Sequence, residues 1–215
     1  YEHSHQGVHD DQRKSRGVEK GAKGLDRSDT AGTTGSRPQT GENKNSVSQK
    51  KVANALLKMA SNDSMLHHFV NKGGIEAIYK LAFESNDSEV LSLCASCLTT
   101  ATMTPKWHAI LLEKQLMSNI CSLSEKGDEH VKFECSRAIT LLSLRQDLHT
   151  SLAKSGILIA LQNLLNSKRG DILSYAALSA SNVAPIFFHG VSGNNSPEAE
   201  AALRVILAVS RKLDV

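Results

Sequence analysis

Apolar and small residues return every 41 positions along the middle of this chain. Ile75 is followed by Leu116 and Ile157, Val90 by Val131 and Ile172, and Cys94 by Cys135 and Ala176. Leu98, Ile139 and Ala180 form a further column, as do Val70, Leu111 and Leu152, and Ala101, Leu142 and Val183. Three units hold this register without an insertion. Self-similarity at that period predicts a solenoid, in which each unit buries its apolar face against its neighbours.

Within the units the spacing is helical. The first full unit predicts a short helix over Ser64 to Asn71, a second from Gly74 to about Glu84 and a long third from Ser88 to Thr102, with Asn86, Asp87 and Ser88 as caps. The second unit places Pro105 near the start of its first helix, where a missing N–H costs nothing. Its second helix reads from Gln115 to about Ser124. Gly127 and Asp128 break and recap before a third helix that ends near Ser143. The third unit reads as Leu148 to Lys154, Gly156 to Asn166 and Gly170 to Ala184. Pro185 is expected to stop that last helix, and Gly190, Gly193, Asn194 and Asn195 indicate a loop. Pro197 opens one more helix, whose Ala202, Val205 and Ile206 stand 41 residues after Leu161, Leu164 and Leu165. That helix either caps the stack by itself or leaves an apolar face without its neighbour.

Before the repeats lies a segment of another kind. In residues 1–48 only Tyr1, Val8, Val18, Ala22, Leu25, Ala31 and Val47 are apolar, too few to offset chain entropy, so a disordered polar tail is expected. Arg13, Lys14 and Arg16 form a short basic patch, and His3, His5 and His9 a spaced His tract; both read as solvated bystanders. Order is expected from near Ser48. Ala53 and Leu57 stand 41 residues before Cys94 and Leu98, so residues 49–61 read as the last helix of a partial unit. The domain reading is therefore a tail over 1–48 and a solenoid over 49–215. The solenoid comprises the partial unit, full units 62–102, 103–143 and 144–184, and a degraded or truncated unit 185–215.

Composition narrows the chemistry. Apolar residues are 40% and aromatics 4%, so the core must be aliphatic. A net charge of +3 with mixed signs gives no electrostatic case for nucleic acid. No apolar run approaches the ~18–20 residues that cross a bilayer, so membrane insertion is not expected. The chain opens at Tyr1 with no basic start before an apolar stretch, and no secretory signal is expected in it. Cys94 and Cys135 occupy one column in neighbouring units. Packed helices lie about 8–10 Å apart, and a disulfide needs Cα atoms within about 7 Å. The thiols are expected to stay free, which suits a reducing compartment, the cytoplasm or the nucleus.

The junctions Val70-Asn71-Lys72-Gly73-Gly74-Ile75-Glu76-Ala77-Ile78 and Leu152-Ala153-Lys154-Ser155-Gly156-Ile157-Leu158-Ile159-Ala160-Leu161 resemble the apolar–Gly–apolar junction of the armadillo repeat. Ala176-Ala177-Leu178-Ser179-Ala180-Ser181-Asn182-Val183-Ala184 resembles that family's third-helix ending. Gln115 departs from the pattern where the other units carry Gly74 and Gly156. HEAT repeats have similar length but use two helices. The resemblance covers about residues 50 to 210 and implies an all-α, right-handed α-solenoid of three-helix armadillo repeats. It also implies a non-catalytic scaffold or adaptor with protein partners lying along the concave third-helix face. Alternatives are the substrate-recognition part of a larger enzyme such as a ubiquitin ligase, or a membrane-trafficking tether resembling the vacuolar armadillo proteins. The tail has neither a Cys nor a Met-Gly start for the lipid anchor such a tether uses.

On that reading, residues four apart on the third helices line the groove. They are Ser92, Ser96 and Thr100, then Phe133, Arg137 and Leu141, then Ser174, Leu178 and Asn182. Asn182 matches the family's groove Asn, while Phe133 and Arg137 supply an aromatic face and a cation, residue types favoured as anchors. An importin-type groove needs Trp and Asn in most units. Here the Trp column holds Ser96, Arg137 and Leu178, and the Asn column Thr100, Leu141 and Asn182, so a basic import peptide is not expected.

Other motifs carry less. His67, His108 and His149 recur at 41, yet stacked units hold them about 10 Å apart while ligands bond zinc at about 2 Å. Each ring is instead expected to bond carbonyls ending a neighbouring helix. Cys94 and Cys97 form a lone C-x-x-C inside a helix, with no second pair at zinc spacing. Asn62-Asp63-Ser64 and Asn86-Asp87-Ser88 fit the glycosylation pattern but read as helix caps. Trp107 shares the core column of Leu66 and Leu148. No phosphate loop, nucleophile elbow or paired carboxylates appear, so no catalytic residue, metal or cofactor is expected.

Overall fold

A computed structural model of the chain describes residues 44–189 and 197–213. The basic patch, the spaced His tract and the Gly/Asn-rich stretch from Gly190 to Ser196 lie outside the described residues. Within them every regular element is helical: α1 Lys44–Ala60, α2 Asp63–Asn71, α3 Gly74–Glu84, α4 Ser88–Thr102, α5 His108–Glu113, α6 Leu116–Lys126, α7 Glu129–Ser143, α8 His149–Lys154, α9 Ile157–Leu164, α10 Gly170–His189 and α11 Pro197–Leu213. Short 3-10 turns at Pro105–Trp107 and Gln146–Leu148 lead into α5 and α8.

Local chemistry sets these limits. Asn62 caps α2 by accepting from the Ser64 N–H at 3.0 Å. Asp87 accepts from Glu89 N–H at 2.9 Å and Val90 N–H at 3.4 Å, and Asp128 does the same for His130 and Val131, both at 3.0 Å. The turns into the second helices need a left-handed residue. Gly73 (φ 88°), Gln115 (φ 62°) and Gly156 (φ 94°) supply it. The glutamine thus keeps the turn that glycine makes elsewhere.

The helices form a stack of three-segment units, an α-solenoid of the armadillo arrangement and not of the two-helix HEAT type. The third helices α1, α4, α7 and α10 pack in one row, and the second helices α3, α6 and α9 in another. Every residue of the six 41-spaced columns is buried in the aliphatic core between them. Inter-unit hydrogen bonds repeat with the same period. Thr99 Oγ1 donates to the Glu134 carbonyl at 2.9 Å, and Thr140 Oγ1 to the Tyr175 carbonyl at 3.3 Å. Ser46 reaches Asp87, Ser88 reaches Asp128 at 3.0 Å, and Ser167 reaches Glu129. In the second-helix row, Asn163 Nδ2 donates to the Cys121 carbonyl at 3.2 Å.

Five expectations change. The first described helix starts at Lys44 and not near Ser48, because Ser46 and Lys50 are held by Asp87 and Glu89 of the next unit. Pro185 does not stop α10, which runs on to His189. The proline costs Ser181 a helical N–H partner, but Ser181 and Pro185 are exposed, while Ile186 packs on the core and Phe187 is buried. Trp107 is only partly buried, at the core's edge. His108 and His149 make the expected bonds, their Nε2 atoms 2.6 Å from the Thr102 carbonyl and 2.7 Å from the Ser143 carbonyl. His67 does not: lying mid-way along α2, it is exposed, its ring 5.6 Å from that of Trp107. Finally, α11 has the register of a second helix but lies chiefly along α10, burying Ala202, Val205 and Val209. An open trough of about 590 Å³ remains between α9 and α11, with Leu158, Ile159, Leu165 and Val205 on its walls.

Candidate partner-binding face

Rungs between third helices fix one face of the row. Thr140 Oγ1 lies 2.9 Å from Ser179 Oγ as well as bonding the Tyr175 carbonyl, so α7 and α10 are tied at two points. With the core columns turned inward, Ser92, Ser96, Thr100, Phe133, Arg137, Leu141, Ser174, Leu178 and Asn182 all reach solvent, wholly or in part. Thr100 Oγ1 folds back to the Ser96 carbonyl at 2.7 Å, which leaves the α4 part of the face small and smooth.

Its centre is aromatic and cationic. The Phe133 ring meets Tyr175 edge-on at 6.0 Å, with the Arg137 guanidinium 5.7 Å and the Arg169 guanidinium 4.8 Å from its centroid. Both cations are paired. Arg137 Nη1 donates to the two oxygens of buried Glu134 at 3.3 Å each, and Arg169 grips Asp171 through Nε at 3.1 Å and Nη2 at 2.5 Å. That grip holds the Asp171 carboxyl below its usual range. Asn182 is not wholly free for a ligand, since its Nδ2 donates to Ser143 Oγ at 3.1 Å.

Spacing by four residues missed a further column. Met103, Leu144 and Pro185 each stand three residues beyond Thr100, Leu141 and Asn182, on the same helical face. Met103 is 54% and Leu144 61% exposed, and Leu178, in the column of Ser96 and Arg137, is 47% exposed. Met103 and Leu144 follow their helices as C-caps, yet keep helical dihedrals (φ −65°, ψ −19° and −18°), so the stripe continues past the formal helix end. The signal was present in the sequence as Met, Leu and Pro at a spacing of 41. Met103, Leu144 and Pro185 form an apolar ledge, one residue from each of three successive units.

Reactive groups lie away from this face. All four cysteines are unpaired. Burial pushes the Cys94 thiol up to about 12 and raises Cys97, Cys121 and Cys135 as well, so none has thiolate character at neutral pH. Among the described residues no cluster of His, Cys, Asp or Glu could hold a metal, and no helix is long and apolar enough to cross a membrane.

No protein-family model matches the chain, and no curated protein sequence matches it. Solved structures do. An engineered protein from a structural-genomics consortium superposes with a TM-score of 0.57 at 19% identity, over 79% of this chain and 66% of its own length. A designed armadillo repeat protein, solved in complex with the peptide (KR)4, superposes with a TM-score of 0.54 at 16% identity, over 81% of this chain and 83% of its own. At such identities the likeness concerns the fold, that of a helical repeat solenoid.

Proposed function

We propose that the protein is a non-catalytic scaffold that holds an extended or helical segment of a protein partner along the third-helix face. The exposed Met103, Leu144 and Leu178 carry this reading, because they leave large apolar side chains at the surface on the third-helix side of three successive units, where a partner can cover them. The designed neighbour bound to (KR)4 supports peptide binding by such an architecture. Its basic ligand does not suit this face, where Arg137 and Arg169 flank Phe133. Four free thiols fit work in a reducing compartment.

The test is selection of displayed peptides on the wild-type chain, followed by affinity measurement on a Leu144→Asp, Leu178→Asp double variant. Both positions are exposed, so folding should survive, and circular dichroism checks it. The selected peptides should bind the variant more than tenfold more weakly. Equal binding would remove the face as the site. Arg137→Glu with Asn182→Ala tests the central cluster in the same way.

A further inference from the structure

We propose that the buried His108 ring, bonded through Nε2 to the Thr102 carbonyl and without a partner at Nδ1, makes the joint between the first two full units open in acid. The ring belongs to the second unit, yet it serves the first. Thr102 closes α4, and its carbonyl is one of those a helix end leaves unmatched. The Nε2–H donates to it over 2.6 Å. His149 makes the equivalent bond to Ser143 one unit later, so the device is part of the repeat.

His108 differs in what surrounds it. It is 1% exposed, and its Nδ1 has no hydrogen-bond partner among the described residues. A neutral ring tolerates that lone pair. A protonated ring would place a second N–H there, buried, with no acceptor. The charges facing the ring are Arg145 and Asp147, from the turn after α7. Asp147 cannot simply turn to it, being held by Arg145 through contacts of 2.8 and 2.5 Å. Arg145 also donates to the Pro105 carbonyl at 3.1 Å, fixing its cation beside this segment. On the ring's own segment Lys106 lies over Trp107 at 5.6 Å, α4 brings only the Thr102 carbonyl, and Glu113 stands at the far end of α5.

Burial, with Arg145 adding to it, holds the His108 imidazolium pKa below the ordinary 6.5. The sign follows. Above about pH 6.5 the ring is neutral in both open and closed joints, and the closed joint keeps its full stability. As pH falls below that value the open form takes up a proton that the closed form refuses. Closure then weakens, by up to about tenfold per pH unit, until the folded pKa is reached. Because Met103 follows Thr102 directly, opening also displaces the end of the α4 face.

Hydrogen exchange on the full chain reads this, with protection compared at pH 7.5 and 5.5. Residues 103–113 should lose severalfold more protection than the α7 amides, up to about tenfold, and the His108 ring signals should titrate below 6.5. His108→Gln keeps a donor but no titration, so the acid-specific opening should vanish. Titration at or above 6.5, or the same opening in His108→Gln, overturns the proposal. Should that variant fail to fold, Arg145→Gln serves. Removing this half-buried cation, and with it the hold on Asp147, eases protonation of the closed joint, so the acid-induced loss should shrink, and an unchanged loss counts against the idea.

Discussion

A glutamine in left-handed backbone needs explaining when two of the three equivalent turns use glycine. At φ 62° Gln115 bears a Cβ clash of about 1–2 kcal/mol. A glycine there would relieve it while adding about 0.5–1 kcal/mol of chain entropy. The difference favours glycine, so Gln115→Gly should stabilise the chain by about 0.5–1 kcal/mol, read as a higher urea midpoint at unchanged slope. Gly74 behaves oppositely. A Cβ there would stand 2.4 Å from Phe69 Cδ2 and 2.6 Å from the Phe69 carbonyl, so Gly74→Ala should cost about 1–3 kcal/mol. Gly170→Ala, with nothing within 4 Å, is the matched control and should be nearly neutral. The sequence marked residues 74, 115 and 156 as one column. It did not show that the first unit moves its left-handed residue to Gly73, because with two glycines in succession either can make the turn.

Single helices owe their starts to side chains that also bind the neighbouring unit. Asp128 caps α7 and accepts from Ser88 of the preceding unit. Those bonds, led by the Val131 N–H, hold its carboxyl below the usual range. Its contribution is therefore complete above about pH 4 and is lost as pH falls through the depressed folded pKa. Asp128→Ala should cost about 0.5–2 kcal/mol at pH 7. Thermal unfolding across pH 2–5 should show a shallower acid limb in the variant than in the wild type. Capping and periodicity were legible because they are local. The extension of α10 through Pro185 was not, because it depends on where Ile186 and Phe187 find core to bury in. The solvent-facing residues of the candidate face were legible for the same reason as the core: removing the apolar columns leaves the others. Met103 and Leu144 escaped because the reading ended each helix where hydrogen bonding ends, whereas the backbone stays helical one residue further.

At the scale of the whole molecule, register identifies which residues are apolar but not which of two neighbours they cover. That is why α11 could be placed in sequence and not in space: its Ala202 and Val205 suit α10 as well as α9. The core itself is continuous. Ile139, fully buried at the middle of the Leu98–Ile139–Ala180 column, should cost about 2–5 kcal/mol on replacement by Ala, measured by denaturant unfolding. Leu144→Ala, on the exposed ledge, should leave stability within about 0.5 kcal/mol.

Among the described residues the side-chain hydrogen bonds between units span either six positions, as at His108 and His149, or about one period, from 35 to 47 positions. A chain emerging from the ribosome thus never waits for its far end. Each segment can dock once roughly one more period has left the exit tunnel, and adding periods would lengthen assembly in proportion without making any single closure slower.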